Sequence, residues 1–182
     1  TFLEDPLRVL RAAQFAARFE FSTSDFLIEC GREANLKDVP RERVRGEFIK
    51  LLCNGIRPSL GFKFLLDTAQ YQQIFPDIPE PSLRILSNMD CLARFDEAKL
   101  ASNSHRLAAM LSIWLADYTQ DNAKRILEII DIHSWEGLNV RRHVLATHML
   151  HRQLENDDSL LRNLATKVDL DVLISAAGAI RE

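Results

Sequence analysis

Asp5 and Arg8 stand three residues apart across Pro6, where helical spacing begins, so one turn of helix makes their side chains neighbours. A carboxylate accepts hydrogen bonds and a guanidinium donates them. Side by side they form a flat acceptor–donor edge. The Watson–Crick edge of cytosine offers an N4 amino donor beside N3 and O2 acceptors, and that of adenine an N6 amino donor beside N1. One Asp/Arg pair therefore serves both bases. Guanine and uracil present the opposite order and would leave polar groups unpaired. Arg11, a turn further on, is spaced to meet a phosphate. On spacing alone the simpler reading prevails, an N-cap aspartate with an i,i+3 partner.

The elements that must position these residues are helical. Apolar residues recur at helical spacing nearly everywhere, strict alternation is rare, and no Asn-Gly or Asp-Gly turn joins two alternating runs. The fold class predicted is all-α, an array of helices. Asp5 is the predicted N-cap of the first, with Pro6 at its first position. Leu7, Leu10, Ala13 and Ala17 form its apolar stripe, and Phe15 and Phe19 add bulk. Further helices are predicted over about 25–35, 41–53, 59–70, 82–95, 104–118, 122–132, 139–155 and 159–167, with a last one from about Asp169. Three prolines within Phe75–Pro81 mark the clearest linker, which divides the chain into residues 1–78 and 79–182.

Composition narrows the classes. The 182 residues carry a net charge of −3, with 47% hydrophobic and 27% charged residues, an ordinary globular balance. The most apolar run, about Ala108 to Ala116, is far short of the ~20 residues that span a bilayer. No secretory signal pattern stands at the start, and three scattered cysteines fit neither a disulfide framework nor a zinc spacing. The setting read from this is reducing and cytoplasmic, with no membrane partner. Charge is uneven. Residues 1–63 hold 11 Lys+Arg against 9 Asp+Glu, and residues 64–182 hold 12 against 17. The basic face thus lies in the first third, where it suits a polyanion or simply forms a solvated helix face. The chain starts at Thr1 and meets a helix start almost at once, so it is read as a piece of a longer protein. Composition leaves the oligomeric state open.

The run Glu-Asp-Pro-Leu-Arg-Val-Leu-Arg-Ala-Ala-Gln-Phe-Ala-Ala-Arg-Phe, residues 4–19, resembles the Glu-Asp-x-x-Arg motif of class II tRNA nucleotidyltransferases, the CCA-adding enzymes, and of the related bacterial poly(A) polymerases. The resemblance implies that Asp5 and Arg8 act as a protein template for incoming CTP or ATP and that Arg11 also contacts the nucleotide. Gln14 departs from members that carry a basic residue there. Val39–Leu52 resembles the family's Glu-Arg-[Ile/Val]-x-x-Glu-[hydrophobic]-x-Lys helix. That likeness implies structural roles for Glu42 and Arg43. It brings the basic residues Arg41, Arg43, Arg45 and Lys50 near RNA, with Arg45 or Lys50 reaching phosphate. On spacing alone, Arg43 and Glu47 are an ordinary i,i+4 pair. Phe64–Pro76 resembles the run into the family's Phe-Pro-Glu turn, with Asp77 in place of the Glu. The resemblance covers about residues 2–78 and weakens beyond Pro79.

What it implies is the neck, body and tail of such an enzyme without its catalytic head. The head would carry a Gly-rich loop, a D-x-D that binds two Mg²⁺ ions and an Arg-Arg-Asp motif, and Asp169-Leu170-Asp171 lacks that context. No metal or other cofactor is therefore expected in this chain, and Mg²⁺ is expected in the missing head. The implied partners are tRNA or other RNA 3′ ends, CTP and ATP. The chain alone is not expected to catalyse; the intact protein would be a CCA-adding or poly(A)-adding nucleotidyltransferase. The rival from another class is a helical RNA-binding module with no enzymatic parent. Some bacterial relatives carry a metal-binding His-Asp pair in a later helix. Ser112 and Ile113 stand where it would fall.

Other residues are read more plainly. His148, His151 and Glu155 share a helix face near His143, and are read as solvent-facing or RNA-facing rather than as a metal site. Arg141 and Arg142 are read as a solvated helix start. Trp114, Trp135 and the ten Phe are read as core residues rather than base-stacking platforms, and Cys30, Cys53 and Cys91 as buried small hydrophobes.

Overall fold

The computed structural model describes residue 2, residues 4–94 and residues 102–153, with only the backbone for 150–153. These residues form α1 (Leu7–Phe19), α2 (Asp25–Arg32), α3 (Arg41–Asn54), α4 (Pro58–Asp67), α5 (Gln70–Ile74), α6 (Leu83–Ala93), α7 (Asn103–Leu115), α8 (Gln120–Ile129) and α9 (Val140–Gln153). The only β pairing among them is an isolated bridge between Trp135 and Leu138, so the all-α expectation holds. The helices expected after 153 lie outside the described residues.

Side-chain caps set several of the starts. Ser24, Ser82, Ser102 and Thr119 each accept a hydrogen bond from the backbone N–H three residues on, opening α2, α6, α7 and α8. The start of α1 differs from the sequence expectation. Pro6 occupies the cap position with helical φ −58° and ψ −25°, and no side chain caps the helix. The Asp5 backbone carbonyl accepts the Arg8 N–H at 3.0 Å, and its carboxylate, which caps no backbone N–H of α1, turns elsewhere. The helix expected over 59–70 is broken as well. Ala69 takes a left-handed φ of +57°, separating α4 from α5. The Thr68 hydroxyl donates to the Phe64 carbonyl at 2.8 Å beside that break. A non-glycine residue with positive φ carries no compositional signal.

One apolar core runs through α1, α3, α4, α6, α7 and α9 and across the proline-rich stretch. Trp114 of α7 sits at its centre, fully buried. Its ring stacks on Phe48 of α3 (6.0 Å, 7°) and meets Phe62 of α4 (4.9 Å) and Phe75 (5.5 Å) edge-on. The hydroxyls of Tyr71 and Tyr118, 2.9 Å apart, each approach the Pro79 carbonyl, at 3.0 and 2.9 Å. That shared acceptor pins the proline-rich stretch against the core, and burial pushes both phenols up from their ordinary pKa.

The crossing of α1 and α4 fixes the helix that carries Asp5 and Arg8. Ala13 and Ala17 of α1 face Gly61 of α4 so closely that a Cβ on Gly61 would lie 2.7 Å from the Ala13 carbonyl oxygen and 2.8 Å from a Leu51 methyl. The backbone oxygen cannot move aside without shifting α1. Gly61→Ala is therefore expected to destabilise the fold by about 2 kcal/mol, in the range of core overpacking. Thermal unfolding should show it as a fall in Tm of roughly 4–8 °C.

Candidate nucleotide and RNA interface

Asp5 lies just before α1, and its side chain is 30% exposed. Its partner is not Arg8. Arg43 of α3, 38 residues away, brings Nη2 to within 3.4 Å of Asp5 Oδ1. The basic helix α3 thus braces the start of α1, and the pair sits where it stays open to solvent. Asp5 Oδ2 takes part in no hydrogen bond among the described residues. Arg8 and Arg11 are exposed one turn apart on α1, and neither forms an ion pair with a described residue. The i,i+3 pairing of Asp5 with Arg8 that spacing suggests is therefore not formed.

The other basic residues divide. Arg41, first residue of α3, is exposed and forms no ion pair among the described residues. Arg45 points to the turn after α8, where Nη1 donates to Asp131 Oδ2 at 2.5 Å and to the Asp131 carbonyl at 2.9 Å. Lys50 donates to the buried Glu47 at 2.9 Å. Glu47 thus pairs with Lys50 rather than with Arg43, because Arg43 reaches across to Asp5. Arg43, Arg45 and Lys50 each have a carboxylate at hand, while Arg41, Arg8 and Arg11 remain available to an anion.

Gln14, the departure from the resemblance, is 3% exposed, and its side-chain amide nitrogen has no hydrogen-bond partner among the described residues. It faces into the molecule, not along the exposed stripe of Arg8 and Arg11.

Three sequence readings are corrected. Four phenylalanines expected in the core are exposed: Phe15, Phe19, Phe21 and Phe26 at 40, 49, 60 and 75%. Phe15 and Phe19 fall on the stripe of α1 opposite Leu10, Ala13 and Ala17, which take the core face. His143 and His148, expected to face outward, are buried. A ring nitrogen of His148 lies 2.8 Å from the Tyr118 carbonyl, and one of His143 lies 2.8 Å from the Asn139 carbonyl. The side chains of His151 and Glu155 lie outside the described residues. Of the cysteines only Cys53 is buried, and burial pushes its thiol up to about 12; Cys91 is exposed. Among the described residues no group of three or more His, Cys, Asp or Glu side chains is arranged to hold a metal ion. No helix among them is long and apolar enough to cross a membrane.

Residues 22–80 match the family described as "Probable RNA and SrmB- binding site of polymerase A". Over 84 residues the chain is 37% identical to the tRNA nucleotidyltransferase cca2 of Schizosaccharomyces pombe, covering 43% of this chain and 17% of that protein. It is 30% identical over 187 residues to the CCA-adding enzyme of Hamiltonella defensa, covering 92% of this chain and 45% of that one. Among solved structures, "The complex structure of CCA-adding enzyme with CTP" superposes with a TM-score of 0.66 at 19% identity, covering 98% of this chain and 44% of that one. A "tRNA-processing enzyme (apo form I)" superposes with a TM-score of 0.62 at 19% identity, covering 99% and 52%. The fold is therefore shared with part of each of these two solved proteins. By sequence the chain is a relative of the CCA-adding tRNA nucleotidyltransferases, and the likeness runs well past Pro79, further than its motifs indicate. The chain spans less than half the length of these curated relatives.

Proposed function

We propose that this chain is the C-terminal helical part of a tRNA nucleotidyltransferase that adds C and A to the tRNA 3′ end. It supplies base selection and tRNA binding, and nucleotidyl transfer takes place elsewhere in the same cytoplasmic protein. The observation that carries this reading is the arrangement of Asp5, Arg8 and Arg43. Arg43 holds one carboxylate oxygen of Asp5. The second oxygen is left to accept the N4 amino group of CTP or the N6 amino group of ATP, and the free Arg8 guanidinium donates to N3 or N1 beside it. Arg11 meets the nucleotide phosphates. Arg41 and its basic neighbours Arg43, Arg45 and Lys50 approach the tRNA, which is held by its backbone and shape. Among the described residues no cluster of His, Cys, Asp or Glu side chains suits Mg²⁺. The two metal ions that would activate a 3′ hydroxyl and stabilise pyrophosphate in such chemistry would be held by another part of the protein. A poly(A) polymerase of the same family is the second reading. The match of residues 22–80 to the polymerase A family favours it, and ATP fits the Asp5–Arg8 edge equally well.

Arg43→Ala in the full-length protein tests the bracing of Asp5. The pair is solvent-exposed, so its loss should move Tm by no more than about 3 °C. Losing the brace should lower kcat/KM for CTP and ATP on the order of 10-fold, a cost of about 1.4 kcal/mol. Discrimination against UTP and GTP should fall with it, and Arg43→Lys should restore part of both. Unchanged kinetics would mean that Asp5 needs no brace or reads no base.

A further inference from the structure

The outward face of α1 carries Arg8, Arg11, Phe15, Arg18 and Phe19 in succession, and Phe21 follows beyond the helix end. Phe15 and Phe19 have ring centroids 5.9 Å apart, and Phe19 and Phe21 5.5 Å apart, in tilted arrangements. The Arg18 guanidinium lies over the Phe19 ring, 5.2 Å from its centroid. Three partly exposed rings interspersed with three exposed arginines are not a core face that failed to close. The core face of this helix is the opposite one, where Val9, Ala13 and Ala17 are fully buried.

We infer that this stripe is a stacking platform for the single-stranded end of an RNA, running along α1 from the Asp5–Arg8 edge to Phe21. The inference rests on the proposed RNA-binding role and adds a second contact surface to it. A polymer of apolar base faces and phosphates matches a face that interleaves aromatic rings with guanidinia. An apolar protein surface laid over the same stripe would desolvate three cations. From Arg8 to Phe19 the stripe is about 16 Å long at the helical rise, enough for more than one nucleotide. Its Asp5 end is the base-reading edge, so a strand on the rings would deliver its terminus there. Rings stack only on bases that are not already paired, so the platform should favour single strands over duplex.

The test uses the full-length protein, an unstructured single-stranded RNA and a blunt duplex of the same sequence, with binding followed by fluorescence anisotropy across a salt series. Phe15→Ala and Phe19→Ala remove exposed rings, so Tm should stay close to that of the parent. Each should weaken single-strand binding on the order of 10-fold, leave the salt slope unchanged because no charge is lost, and leave duplex binding unaltered. Phe19→Tyr should retain single-strand affinity. Single-strand binding unaffected by either alanine variant would overturn the platform, as would an equal loss on single strand and duplex. In the first case a protein surface would be the better occupant. The RNA-binding role is judged separately with Arg41→Ala on α3: weaker binding with a shallower salt slope sustains it even if the rings prove silent, and no change removes it.

Discussion

In the full-length protein, Asp5→Ala should lower kcat/KM for both CTP and ATP on the order of 100-fold and erase the preference for them over UTP and GTP expected of the proposed template. Both halves of this result come from one carboxylate. A charge-assisted hydrogen bond contributes about 1.5–3 kcal/mol, and each 1.36 kcal/mol in the transition state is tenfold in rate. On the proposed template, removing the acceptor would leave the amino group of cytosine or adenine without a partner and abolish the mismatch that penalises guanine and uracil. Stability should hardly change, because Asp5 does not cap α1 and its only ion pair among the described residues is the exposed one with Arg43. Steady-state kinetics with the four nucleotides, read beside a thermal melt, separates this outcome from misfolding. Retained selectivity with retained folding would remove the template role.

Trp114→Ala should have the largest effect on stability, about 3–5 kcal/mol as for other buried aromatic truncations. At the scale of this chain that is a drop in Tm on the order of 10 °C. The reason lies in what the indole joins. Phe48 of α3, Phe62 of α4 and Phe75 before the proline-rich stretch all pack against it, so its removal opens a cavity between three elements at once. Trp114→Phe keeps an aromatic ring in the site and should lose roughly half as much. Well below the new melting temperature, nucleotide preference should survive, since Trp114 lies in the core and the Asp5–Arg43 brace lies at the surface. Denaturant unfolding checks the first statement and the four-nucleotide assay the second.

Much of the fold is legible in the chain itself. Ser24, Ser82 and Pro58 announce helix starts, the Asn54-Gly55 step marks the end of α3, and the stripe of Leu7, Leu10, Ala13 and Ala17 is the buried one. The break at Ala69 is not legible, since alanine gives no hint of a positive φ. The Asp5–Arg43 pair escapes a local reading because its partners are 38 residues apart, and local spacing offered Arg8 and Glu47 as nearer partners instead. The exposed rings escape it for a related reason. Residue type alone sends Phe inward, yet α1 has more bulky residues than one face can bury, and the Ala-lined side is the one close enough to receive α4. A helical-wheel projection that placed Phe15 and Phe19 beside Arg8 and Arg11 would have been the signal. The buried His143 and His148 show the converse, polar residues taken inside because backbone carbonyls lie within reach of their ring nitrogens.

The most direct test is to give the full-length protein a tRNA that lacks its 3′-terminal CCA, together with all four nucleotides and Mg²⁺, and to sequence the extended ends. Ordered addition of C, C and A followed by arrest is the expected result, with no incorporation of G or U. Long A tails on tRNA and unrelated RNA alike would contradict CCA addition in favour of poly(A) synthesis, and no extension at all, with RNA still bound, would leave only a helical RNA-binding module.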